Sequence, residues 1–144
     1  MFMHIEATAD EATLGRGVRT INGVFKFTLG RPDVLVKCSR CGGLEIDSAM
    51  GYNTWAAFQG SQQRAAVCGD FAMLELEIAP IIGELRAGGI EVVAVHNHMF
   101  FEEPPVIFLH YWGVGTATNL ATVLRRALNS QKQAIADNNS CCSS

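Results

Sequence analysis

Three of the chain's four histidines stand close together, at His96, His98 and His110, with Glu102 and Glu103 between them. Imidazole and carboxylate are the side chains that move protons near neutral pH and that hold transition metals. Their spacing decides whether they can act together. Residues 90–95 and 106–109 are rich in valine and isoleucine, and Met99 to Pro105 has the composition of a turn, so the segment predicts a β-hairpin. Side chains alternate along a strand, which puts His96 and His98 on one face. Symmetric pairing of the arms adds His110 to that face, with Val92, Ala94, Phe108 and Trp112. Val93, Val95, Ile107 and Leu109 then form the opposite face. A slip of one residue would break the arrangement.

Three imidazoles on one apolar face, with a carboxylate nearby, are a ligand set suited to zinc, iron or manganese. The order His96, His98, Glu102, His110 resembles the metal motif of cupins in its ligands, although the helices between the strands do not match a cupin fold. The expectation is a divalent metal held by His96, His98 and His110. Glu102 or Glu103 would be the fourth ligand or general base, and an open position would bind water or substrate. A second reading uses the same residues without metal. Histidines and aromatics, with Asn53, Trp55, Asn97 and Trp112 as pocket residues, would grip a polar, partly aromatic small molecule. In a third, the histidines only tie the hairpin to neighbouring loops. Nothing in the chain names a substrate, and neither a nucleophile–base pair nor a phosphate loop is legible.

The runs GDF at 69–71, Glu77 with Pro80, LRAGGIEVVAVHNHM at 85–99 and the later EEP and FLHYWG resemble the LppY/LpqO family. These are bacterial proteins, many of them secreted lipoproteins, whose domain has no settled function. The resemblance spans about Gly23 to Leu128. It implies that His96, Asn97, His98, Glu103, Pro104, His110 and Trp112 belong to the family's signature. It supplies no substrate.

The elements that must position these residues follow from the rest of the chain. At 144 residues it suits one domain with a true core. A net charge of −3 offers no basic footprint for nucleic acid. No apolar run is long enough for a membrane span, and the start lacks a basic, apolar leader, so the expectation is a cytoplasmic protein. Residues 1–21 read as an N-terminal segment with a short helix over 8–16, capped by Thr8 and Glu11. His4 has no role. Residues 22–130 read as the single domain, and 131–144 as a polar tail fraying beyond Ser130.

Within the domain, 24–29 and 34–37 predict one hairpin around Gly30-Arg31-Pro32-Asp33, and 54–59 with 65–71 a second. Asp70 reads as a turn cap more readily than as a site residue. Leu74, Ile78, Ile81, Ile82 and Leu85 form an amphipathic helical stripe, with Pro80 either kinking the helix or setting its start near Ala79, and Gly88-Gly89 ending it. Glu77 suits the helix's first turn as a dipole-compatible carboxylate. Ala117, Leu120, Ala121, Leu124, Ala127 and Leu128 make a second helical stripe. The predicted fold is α+β, about six mostly antiparallel strands in the order ββββαββα, with both helices on one face. Exposed strands and the Trp112 region would admit a homodimer.

Five cysteines remain. Cys38-x-x-Cys41 looks like half of a zinc knuckle, with Cys141-Cys142 as a poor second half, or like a redox pair. A cytoplasmic chain would keep these thiols reduced. Cys68 reads as a small buried hydrophobe.

Overall fold

The computed structural model describes Leu14, residues 17–19 and residues 22–141. His4 and most of the expected 8–16 helix, with its Thr8 and Glu11 cap, lie outside the described residues. The chain runs β1 (Val18–Arg19), β2 (Phe25–Leu29), β3 (Val36–Cys38), β4 (Leu44–Ile46), β5 (Thr54–Gly60), β6 (Ala65–Met73), α1 (Ile78–Ala87), β7 (Glu91–Asn97), β8 (Glu102–Glu103), β9 (Ile107–Gly115) and α2 (Ala117–Cys141). The fold is α+β, as the hydrophobic periods predict. A six-stranded antiparallel sheet has the order β1-β2-β5-β6-β9-β7, and a three-stranded sheet the order β4-β3-β8.

Alternation along each strand sorts the large sheet into two faces. Phe25, Phe27, Ala56, Phe58, Val67, Phe71, Leu109 and Tyr111 point to one side and close a core with Ile81 and Leu85 of α1 and Leu120, Leu124 and Leu128 of α2. The other side meets the small sheet at one end only, where Ala72 and Phe108 pack with Val36, Tyr52 and Val106. Layers of helices, large sheet and small sheet result, and among the described residues nothing covers the rest of the second face.

The hairpin predicted over 54–59 and 65–71 forms, with Trp55 opposite Asp70 and Phe58 opposite Val67. The one predicted between 24–29 and 34–37 does not. β2 pairs with β5, while β3 leaves to pair with β4 and β8. The intervening turn is held elsewhere. Arg31 bonds Asp33 beside it, and its Nη1 and Nη2 reach both Glu77 oxygens at 2.8 Å. Glu77 is therefore not a solvated first-turn carboxylate but the buried partner of a buried arginine. It also accepts the Leu74 amide at 2.8 Å, which fastens the start of the helical segment. A 3-10 turn covers Glu75–Glu77, and α1 begins at Ile78 with Pro80 in its first turn, where a missing amide costs no helical bond. The second helix does not stop at Ser130. α2 continues to Cys141, and the buried Gln131 side chain donates to the Ala72 carbonyl and to Glu77 Oε2, each at 3.0 Å. Among the described residues no helix is long and apolar enough to cross a membrane.

Candidate functional site

β7 and β9 pair as the histidine spacing predicts. Ala94 lies opposite His110, His96 opposite Phe108, and the His98 amide bonds the Val106 carbonyl at 2.9 Å. A register shift between Val92 and Ala94 then puts Val92 opposite Tyr111, on the helix-side face, so Val92 leaves the histidine face. β7 is an edge strand, and Val93 and Val95 remain about half exposed there.

Sharing a face is not convergence. His98 stands in the Val106 row and His110 in its own, and four residues of extended strand separate those rows by roughly 13 Å. Phe108 occupies the row between. The His96 ring stacks on Phe108 at 5.9 Å, and its Nδ1 contacts the Asn97 carbonyl at 3.0 Å. His98 turns under the small sheet, against Phe108 and Tyr52, with Nδ1 bonded to Glu102 Oε1. His110 bonds Asp70 across β6 and β9. The expected metal centre on His96, His98 and His110 is thus overturned. Among the described residues no group of three His, Cys, Asp or Glu side chains is placed to hold a metal ion.

Two separate carboxylate–histidine pairs take its place. In the first, Glu102 is buried, with Oε1 on His98 and Oε2 accepting the Val106 amide at 3.4 Å. His98 Nε2 faces Gly51, where even an added Cβ would come within 3.2 Å. This pair is enclosed, and it pins the loop between β7 and β9. Glu103 is exposed and lies opposite Lys37 in the small sheet.

The second pair lies on the uncovered sheet face. His110 Nδ1 is 2.7 Å from Asp70 Oδ1, and Trp55 Nε1 donates to Asp70 Oδ2 at 3.1 Å. An ionised carboxylate only accepts, so Nδ1 carries the proton, and in the neutral ring Nε2 presents a lone pair. His110 is 37% exposed and Asp70 20% by side chain, so the pair is reachable and still partly desolvated. The Trp55 indole meets the His110 ring edge-on at 6.0 Å, and Lys26 Nζ sits 4.5 Å over the Trp55 ring. Trp112 stands next along β9 on the same face, 45% exposed and opposite Cys68. Burial pushes the Cys68 thiol above its ordinary range and the Asp70 charge adds to the rise, so Cys68 stays a thiol at neutral pH.

Sequence reasoning named His110, Trp55 and Trp112 and undervalued Asp70. Asp70 caps no turn; it sits inside β6, 40 residues from its histidine. Of the other expected pocket residues, Asn97 is exposed on the edge strand, and Asn53 is half-buried with its Oδ1 near Gly30. A surface cavity of about 570 Å³ lies elsewhere, between α2 and the 29–33 turn, lined by Leu29, Arg31, Asp33, Arg125, Leu128 and Lys132 among others.

Fold and site together define an α+β protein that carries two carboxylate–histidine pairs on one sheet face. The chain belongs to the family described as Domain of Unknown Function (DUF1259), whose model matches residues 14–130. No curated protein and no solved structure matches it.

Proposed function

We propose that this protein binds a polar, planar small molecule on the uncovered sheet face and exchanges a proton with it through His110. The observation that carries the reading is the chain Trp55 Nε1–Asp70–His110, with bonds of 3.1 and 2.7 Å. His110 Nε2 accepts a proton from the ligand, and Asp70 stabilises the imidazolium that forms. Trp55 keeps the carboxylate aligned, so the ring is oriented before the ligand arrives. Trp55 and Trp112 flank the pair with aromatic surface, and Lys26 adds positive charge, a combination that favours an anionic aromatic ligand. Within the family, we place the chain with the LppY/LpqO group on its GDF, IEVVAVHNHM and HYWG runs.

The test is a chemical-shift titration of the labelled protein with 4-hydroxybenzoate, an aromatic anion that keeps a hydroxyl proton to donate, and then with larger hydroxyaryl carboxylates. The expected shifts gather on the Trp55 and Trp112 indole N–H groups and the His110 ring, and Asp70→Asn weakens them. Shifts confined to the cavity beside Arg125 and Lys132 would move the ligand to the other side of the molecule and defeat the proposal.

A further inference from the structure

Cys38 and Cys41, which the acid–base site does not use, are joined by a disulfide at the tip of the β3–β4 hairpin. The sequence expectation of reduced thiols does not hold for this pair. As a staple the bond has little to do. Only two residues lie inside its loop, and the turn is already closed by the amides of Cys41 and Gly43 on the Cys38 carbonyl, at 3.3 and 3.1 Å. Cross-links over such short loops constrain the unfolded chain least. As a reactive group it is well placed. Cys41 is exposed, Cys38 is half-buried, and Arg40 between them is held over the Phe101 ring at 4.5 Å. Lys37 adds a second cation, although Glu45 and Glu103 face it across the small sheet. Guanidinium charge beside a cysteine favours the thiolate that exchange requires.

The loop is also wired to the enclosed histidine. Cys38 pairs with Glu102 in the β3–β8 ladder, and the Ser39 amide and hydroxyl donate to the Phe101 carbonyl at 2.8 and 3.1 Å. Phe101 adopts φ of +65°, a conformation rare outside glycine, just before the carboxylate that holds His98. A change at Cys38–Cys41 therefore acts on the segment carrying Glu102.

We propose that Cys38–Cys41 is a thiol–disulfide exchange site, reduced by a dithiol partner, whose redox state sets the position of the Phe101–Glu102 segment and hence of His98. A partner thiolate attacks the exposed Cys41 sulfur. The Cys38–Cys41 bond breaks, Cys38 leaves as a thiolate and a mixed disulfide joins Cys41 to the partner. The partner's second thiolate then attacks its own sulfur in that mixed disulfide and releases the Cys41 thiolate. Both cysteines take up a proton, and the partner departs as its disulfide, having supplied two electrons. This site is independent of the Asp70–His110 reading and stands if that reading falls.

The experiment equilibrates the folded full chain in mixtures of reduced and oxidised dithiothreitol, followed by alkylation, peptide mass mapping and histidine-ring NMR. The expected result is a reversible gain of two alkyl groups, on Cys38 and Cys41, with the circular dichroism unchanged and the His98 ring signals shifted more than those of His110. With oxidised glutathione, Cys38→Ser should form the mixed disulfide at Cys41 at least about tenfold faster than Cys41→Ser forms it at Cys38. Reduction only after denaturation would make the bond a staple and overturn the proposal, as would thiols that do not re-oxidise. Reversible reduction without movement of the His98 signals would overturn the coupling to the histidine.

Discussion

Asp70 is the residue whose role least resembles its sequence reading. A lone aspartate after a run of small residues looks like a cap, because nothing local supplies a histidine. The partner arrives through the β6–β9 register, which places Asp70 opposite His110. The histidine face itself was legible, since strand alternation is a local rule, but distance along the strand separates the rings and no face argument reveals that. At this scale two outcomes are expected. Trp55→Phe keeps an aromatic ring and deletes the bond to an ionised acceptor, so it should weaken ligand binding about tenfold or more, by isothermal titration, and lower stability by about 1.5–3 kcal/mol, by urea unfolding. Cys68, held as a thiol by burial and by Asp70, should alkylate slowly at neutral pH. Its rate should rise only as the pH climbs above the ordinary thiol range, and Asp70→Asn should bring that rise to lower pH.

The elements that carry the site depend on one glycine. An added Cβ at Gly69 would lie 2.0 Å from the Trp55 carbonyl oxygen and 2.4 Å from the Tyr111 hydroxyl, which donates to that same oxygen at 2.9 Å. Gly69 thus lets β5, β6 and β9 close at the level where Trp55, Asp70 and His110 stand. Gly69→Ala should cost at least about 3 kcal/mol, measured by urea unfolding. The second predicted hairpin and both helical stripes formed because their signals are local. The first hairpin failed because the Arg31 turn takes its partners from Glu77 and the Ala72 carbonyl, far away in sequence. Val36 is then carried to the second core, where it is fully buried. The shift near Val92 was equally hidden, since the valine run at 92–95 offers no signal for a bulge.

At the scale of the molecule, the two cores lie on opposite faces of one sheet, and a buried polar network holds the helical layer to it. Arg31, Glu77 and Gln131 are each less than a tenth exposed and satisfy one another and the Ala72 carbonyl. Glu77→Ala leaves the arginine buried without a counter-charge and should cost about 3–5 kcal/mol, read as a fall in melting temperature of roughly 10 °C or more. Asp33 extends the network to the surface, where its bond to Arg31 holds its carboxyl below the usual aspartate value. Its folded value is the lower one, so its contribution is complete above the unfolded value and is lost as the pH falls through the folded one. Acid unfolding should therefore be less steep in Asp33→Asn over that window. Beyond the small sheet's cover, the large sheet presents Asp70 and His110 to solvent, and the functional reading rests on that pair. The most direct test is nitrogen-15 NMR of the histidine rings in the wild type and in Asp70→Asn. The expected result is a neutral ring form of His110 with its proton on Nδ1, and a redistributed tautomer in the variant. A neutral ring with its proton on Nε2 in the wild type, or a tautomer that ignores the loss of Asp70, would contradict this account.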